Sequence, residues 1–201
     1  PEKTSVGPGA VLDESAVVAL LSSARPREVY NLASPSFVPQ SWHEPVRTAE
    51  FAAVGVTLLL ETVRRVDDSI RVLQASSSEI FGRPRESPQT EETPLAPVTP
   101  YGAAKAYGHF AVGCYRGRYG LHASSAILFN HESPRRPVEF APRKIAHAAA
   151  AISLGLEREV ELGDLDARRD WGYAGDHVRA LWLSPQQPEP DDYVIANGET
   201  H

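Results

Sequence analysis

Short apolar runs rich in β-branched residues alternate along this chain with longer stretches in which apolar residues recur at helical spacing. The first pattern predicts strands and the second helices, so their alternation predicts βα units on a parallel sheet. Strands are expected at Glu28 to Ala33, Ile70 to Ala75, His122 to Phe129, Glu159 to Leu162 and Tyr193 to Ala196. Helices are expected at Ala16 to Ser23, Pro45 to Val66, Tyr101 to Tyr119, Val138 to Leu156 and Gly175 to Leu183. Pro45 and Pro100 suit helix starts, where a fixed φ and a missing donor cost nothing. Gly82 to Thr99, crowded with prolines, and Asn130 to Pro137 escape the pattern, and the first fifteen residues, with Gly7, Pro8 and Gly9, read as loop. Open α/β sheets bind ligands beyond the carboxyl ends of their strands, so irregular segments directly after strands are where a site belongs.

With 201 residues and 42% hydrophobic content, the chain can build one sizeable core, as one compact domain or most of two. A formal charge of −6 gives no electrostatic reason to bind nucleic acid or an anionic membrane, which points to a small-molecule partner. Cys114 is the only cysteine, so no internal disulfide can form and a reducing cytoplasm fits best. No apolar run reaches the ~18 residues of a membrane span, and the start at Pro1, Glu2 and Lys3 lacks the apolar region of a signal peptide. The histidines show no metal-ligand spacing, and no metal site is expected. Lys3, Lys105 and Lys144 are the only lysines in an arginine-rich chain, which draws attention to places where a compact, titratable ammonium is kept.

The strongest local signal is Tyr101-Gly-Ala-Ala-Lys105 at the start of a predicted helix. A four-residue separation puts both side chains on one face, where an ammonium beside the phenol would lower its pKa from about 10 and let it take a proton from a hydroxyl. Taken alone, the spacing serves equally well for a surface Tyr and Lys. One strand earlier, Ile70 to Ala75 runs into Ser76-Ser77-Ser78-Glu79, where hydroxyls can donate to a substrate oxygen and a carboxylate can act as general acid or base. By itself this is also a serine-rich turn with a solvated glutamate.

Together, Ser77, Tyr101 and Lys105 resemble the extended short-chain dehydrogenase/reductase pattern. Gln74-Ala-Ser-Ser-Ser-Glu79, the LFNHESPRR stretch ending at Arg136, and Arg169-Asp-Trp171 are similar to the GDP-mannose 4,6-dehydratase family in particular, from about Arg27 to His201. The resemblance implies an α/β fold: a partial Rossmann-like doubly wound parallel sheet lacking its first βα units, plus part of a smaller substrate-binding domain. Residues 1–130 would be the remainder of the NADP-binding domain. Residues 131–201 would be a mixed segment contributing to the substrate-binding domain and the last Rossmann elements. It implies NADP as cofactor, GDP-mannose as substrate and a homo-oligomer in the full-length form.

The roles it implies are as follows. Ser77 hydrogen-bonds the C4 oxygen, Glu79 is acid and base at C5 and C6, Tyr101 is the base at the C4 hydroxyl, and Lys105 is its partner and holds the nicotinamide ribose. Leu32, Ala33, Ser34, Ser36, His131 and Arg136 contact NADP, while Asn130, Lys144 and Arg169 hold the nucleotide sugar, the cations through its diphosphate. The implied reaction is a redox-neutral dehydration to GDP-4-keto-6-deoxymannose. The family's glycine-rich fingerprint is absent, and the loop reads Leu32-Ala-Ser-Pro-Ser36 where Leu-Gly-Ala-x-Ser is usual. The chain is therefore expected to be a portion cut off before the phosphate-binding loop and before the tail of the substrate domain, inactive by itself and weak toward NADP. Another nucleotide-sugar dehydratase or epimerase, or an inactive homologue serving only as a binding module, stays open.

Overall fold

A computed structural model describes residues 10–201; Gly7, Pro8 and Gly9 lie outside the described residues. The expected opening loop gives way to a 3₁₀ turn at Ala10–Leu12, and Glu14 and Ser15 are already helical. Helix α1 (Glu14–Ala24) starts there because the Asp13 carboxylate caps the Ala16 amide at 3.1 Å. Strand β1 (Glu28–Asn31) follows, then α2 (Gln40–His43), α3 (Pro45–Ala49), a π turn (Glu50–Val54) and α4 (Gly55–Val66). The single helix expected from Pro45 to Val66 is thus helical throughout but widened in the middle. α5 crosses the widening at Gly108, where a Cβ would stand 2.7 Å from the Ala52 carbonyl oxygen.

Strand β2 (Arg71–Ala75), helix α5 (Pro100–Tyr119), strand β3 (Ala123–Leu128), short strand β4 (Asn130–Glu132), helix α6 (Ala141–Ser153), short strand β5 (Trp171–Tyr173), helix α7 (Ala174–Leu183) and strand β6 (Asp192–Ile195) complete the order. The main sheet runs β1-β2-β3-β6, every pair parallel, and β4 pairs with β5 in a separate two-stranded parallel sheet. Alternation along β2 and β3 sends side chains to opposite faces. Val72 and Ala123 join Val17, Leu21, Leu59, Leu60, Val63 and Val112 under α1, α4 and α5. Leu73, Ala75, Ala126 and Leu128 join Leu181 of α7 and Ile195 on the other face. Helices on both faces of a parallel sheet make the doubly wound, Rossmann-like architecture expected.

The strand expected at Glu159 to Leu162 is not formed. That segment is irregular and Leu162 is 40% exposed, because an alternating pattern becomes a strand only against a partner and none of the described residues supplies one. Conversely, Asn130–Glu132 leaves the expected irregular stretch to pair with Trp171–Tyr173. Trp42 of α2 and Trp182 of α7 are 64% and 55% exposed. No helix among the described residues is long and apolar enough to cross a membrane.

Candidate active site

The carboxyl end of β2 turns sharply into a 3₁₀ turn, Ser78–Ile80, capped by Ser77, whose hydroxyl oxygen accepts from the Glu79 amide at 3.2 Å. This turn buries Ser77 and lifts the Glu79 carboxylate to the rim. Helix α5 begins against it. The Thr99 hydroxyl oxygen accepts from Gly102 N at 2.9 Å, and Pro100 occupies the first turn. A Cβ at Gly102 would stand 2.5 Å from the Glu79 carbonyl oxygen, so glycine is what lets the two segments touch. The contact brings Tyr101 and Lys105 beside Ser77 and Glu79, which line the same cleft.

Tyr101 and Lys105 are buried, at 7% and 5% exposure. The Lys105 ammonium donates to the Ala75 carbonyl at 2.9 Å and lies 5.7 Å from the centre of the Tyr101 ring. Burial lowers its pKa to about 8. Burial also raises the Tyr101 phenol, the Glu79 carboxylate adds to that, and the Ser77 hydroxyl and the Arg136 guanidinium oppose it. Lys105 spends one of its three donors on the Ala75 carbonyl, and Arg136 is a further cation that bears on the Tyr101 phenol.

A cleft of about 940 Å³ opens above these residues. Leu32, Ser34 and Ser36 line one wall, and Asn130, His131, Arg136 and Arg169 line another. His131 is fixed by its Nδ1 against the Phe129 carbonyl at 2.9 Å and by stacking on His177, ring centroids 5.0 Å apart. Arg136 lies over the Phe140 ring at 3.6 Å, with Glu132 Oε2 3.3 Å from its Nε. Two expected residues stand apart. Ala33 lines a separate apolar cavity between β1 and α1, and Lys144 is exposed in the part of α6 that precedes its buried residues, Ala148 and Ala151.

Residues that the sequence reading left out also line the cleft. Phe37 and Phe140 pack edge to face at 5.4 Å. Asp170 is buried and accepts from the Asn197 and Gly198 amides at 2.9 and 2.6 Å, while Arg169 and His201 exchange backbone hydrogen bonds. This clasp fixes the Arg168–Arg169 corner, with Arg168 donating to Thr200 Oγ1 at 3.0 Å. The aspartate next to Arg169 was visible in the sequence, but its partners lie some 27 residues away and left no local signal. Chemically, the arrangement offers a hydroxyl, a carboxylate and a phenol around one space, with cations on the far wall.

The family model for "GDP-mannose 4,6 dehydratase" matches residues 2–201. The GDP-mannose 4,6-dehydratase of Sinorhizobium fredii (strain HH103) is 46% identical over 194 residues, covering 96% of this chain and 55% of that protein. The Homo sapiens GDP-mannose 4,6 dehydratase is 45% identical over 195 residues, covering 96% and 52%. The chain thus spans about half the length of these relatives. Among solved structures, RMD from Pseudomonas aeruginosa complexed with NADPH superposes with a TM-score of 0.89 at 24% identity, covering 100% of this chain and 67% of that one. The dTDP-glucose 4,6-dehydratase of Bacillus anthracis in complex with NAD gives 0.84 at 23%, covering 96% and 58%. At such identities these likenesses establish the fold.

Proposed function

Because this chain belongs to the GDP-mannose 4,6-dehydratase family, we propose that its cleft serves the conversion of GDP-mannose to GDP-4-keto-6-deoxymannose with NADP as recycled hydride carrier. The observation that carries the reading is the convergence of Ser77, Glu79, Tyr101 and Lys105 on one cleft at the carboxyl end of β2.

A nicotinamide cofactor fits the residues present. The buried Lys105 ammonium has three N–H donors and spends one on Ala75, and the buried Ser76 hydroxyl on the cleft wall has no hydrogen-bond partner. Ribose hydroxyls would supply partners for such groups. Leu32, Ser34, Ser36, Tyr101, Lys105, His131 and Arg136 would hold NADP, with Arg136, over the Phe140 ring, the donor suited to phosphate. When bound, the nicotinamide supplies reversible hydride transfer.

The chain's own residues do the rest. Ser77 donates to the C4 oxygen while Tyr101 receives the C4 hydroxyl proton; the Ser77 hydroxyl and Arg136 oppose, without cancelling, the burial that keeps the phenol protonated. A C4 ketone acidifies the C5 hydrogen. Glu79 takes that proton and delivers it to the departing C6 hydroxyl, so water leaves and the carboxylate is regenerated. Saturating the C5–C6 double bond then takes back the hydride at C6 and the proton first received by Tyr101 at C5, which returns every residue to its starting state. Asn130 and Arg169 orient the sugar nucleotide, and Lys144, outside the cleft, meets it only at the diphosphate end. Residues 1–130 serve the cofactor and 131–201 mainly the sugar nucleotide. The reading includes a homo-oligomer and a cytoplasmic setting.

The test is to place residues 1–201 in the Sinorhizobium fredii relative in exchange for the matching stretch, supply GDP-mannose and NADP, and detect the 4-keto sugar by mass. The chimera is expected to form product, and Glu79→Gln in it is expected to lose about 10²-fold or more while binding NADP unchanged. A folded chimera that makes no 4-keto sugar overturns the reading.

A further inference from the structure

Under the cleft floor runs a chain of buried polar groups that the chemistry above does not use. The Ala33 amide, in the loop after β1, donates to Asn31 Oδ1 at 3.2 Å. Asn31 Nδ2 donates across the β1–β2 pair to Gln74 Oε1 at 2.7 Å. Gln74 Nε2 in turn donates to the Ala75 carbonyl at 2.9 Å, the same oxygen that accepts from Lys105 Nζ at 2.9 Å. Asn31, Gln74 and Lys105 are 5%, 4% and 5% exposed.

We infer that Asn31 and Gln74 are positioning residues that couple the Leu32–Ser36 loop to the Lys105 ammonium through the shared Ala75 carbonyl. Each link has one orientation available. Asn31 must turn its oxygen to Ala33 and its NH₂ to Gln74, which forces the Gln74 oxygen toward Asn31 and its NH₂ toward Ala75. An unmade buried hydrogen bond is costly, so reversing one amide would break the rest of the chain. The loop at one wall of the cleft and the cation at its floor are therefore set together. The Gln74 donor and Lys105 share the two lone pairs of one carbonyl oxygen, and each weakens the other's bond, so the network holds the ammonium in place while leaving its acceptor less available than it would be alone.

The consequence for cofactor binding rests on the function proposed above; the coupling itself does not. With only three lysines in the chain, ¹³Cε-lysine NMR resolves Lys105 in the 201-residue protein. Gln74→Met keeps length and burial while freeing the Ala75 oxygen for the ammonium, so the Lys105 titration is expected to move upward from about 8. Asn31→Ala should move it in the same direction although it touches neither Lys105 nor Ala75. Val63→Ala, a core truncation remote from the network, should leave it in place. A Lys105 titration that stays put in both Gln74→Met and Asn31→Ala overturns the coupling.

Calorimetric titration with NADP forms the second arm. Affinity is expected to fall several-fold in both variants, and affinity equal to the unaltered chain removes the claim that coupling serves binding. A chain that shows no NADP affinity at all counts against the proposed function, while the NMR arm still decides the coupling.

Discussion

Two of the cations on helix α5, three turns apart, live in opposite circumstances. Near its end, Arg116 reaches Asp192 of β6 with both guanidinium nitrogens, at 3.2 and 3.0 Å, and also donates to the Ala123 carbonyl at 3.2 Å. Near its start, Lys105 is more deeply buried, has one carbonyl acceptor and makes no ion pair with a carboxylate among the described residues. The first cation is matched in charge and geometry, and it ties helix to sheet. The second bears a desolvation cost that its surroundings do not offset, and it faces a cleft. Buried charge that the fold leaves unmatched marks the place where a ligand completes the set.

The comparison breaks first at Lys105→Met. In the chimera, turnover is expected to drop by about 10²-fold or more. Thermal stability of the 201-residue chain is expected to rise by roughly 1–3 kcal/mol at pH 7, because an unpaired buried ammonium is removed. The sign follows from the titration: the folded-state pKa of about 8 lies below the ordinary 10.5, so the unfolded chain binds the proton more tightly and the penalty is full below pH 8. It fades as pH rises toward 10.5, so melts at pH 7 and pH 9.5 should show the gain shrinking. A variant less stable than the parent at pH 7 would end the contrast.

Next in size, Arg116→Met should cost about 2 kcal/mol, since it strands a part-buried Asp192, and should leave NADP affinity unchanged; denaturant melts and calorimetry check this. Charge-keeping exchanges sharpen the point. Lys105→Arg is expected not to restore turnover, because a planar guanidinium does not fit an ammonium's place beside Tyr101 and a ribose, whereas Arg116→Lys should cost only about 1 kcal/mol. Steady-state kinetics and melts on the two variants decide. The smallest effect is expected at the helix end itself. Gly120 sits at φ 69° in the left-handed cap, so Gly120→Ala should cost about 1 kcal/mol in a melt with no change in turnover.

Much of this was legible because it is local. The Pro100 start, the Tyr101/Lys105 spacing and the apolar strand before Ser77 depend on residues a few positions apart, and all of them lie in the observed elements. The strand expected at Glu159 to Leu162 shows the limit of the same reasoning, since alternation declares a readiness to pair and says nothing about a partner. Strands β4 and β5 were hidden for the opposite reason. Three residues carry too little periodicity to read, yet two such segments 41 positions apart pair once Asn130 meets Trp171.

What the sequence determined by itself is the order of the main-sheet strands and the longer helices, and the chemical groups Ser77, Glu79, Tyr101 and Lys105 that the cleft receives, because both follow from short-range periodicity and from groups written in nearby positions. What only the tertiary structure decided is which cation meets which acceptor. The spacing of Tyr101 and Lys105 put them on one helix face, but that Lys105 donates to Ala75 and that Arg136, from beyond β4, bears on the phenol came only with the fold. Asn31 and Gln74, 43 residues apart, became partners only when β1 and β2 aligned in parallel. Electrostatics and hydrogen bonding act through distance and burial, and those are fixed when the chain closes on itself rather than by position along it.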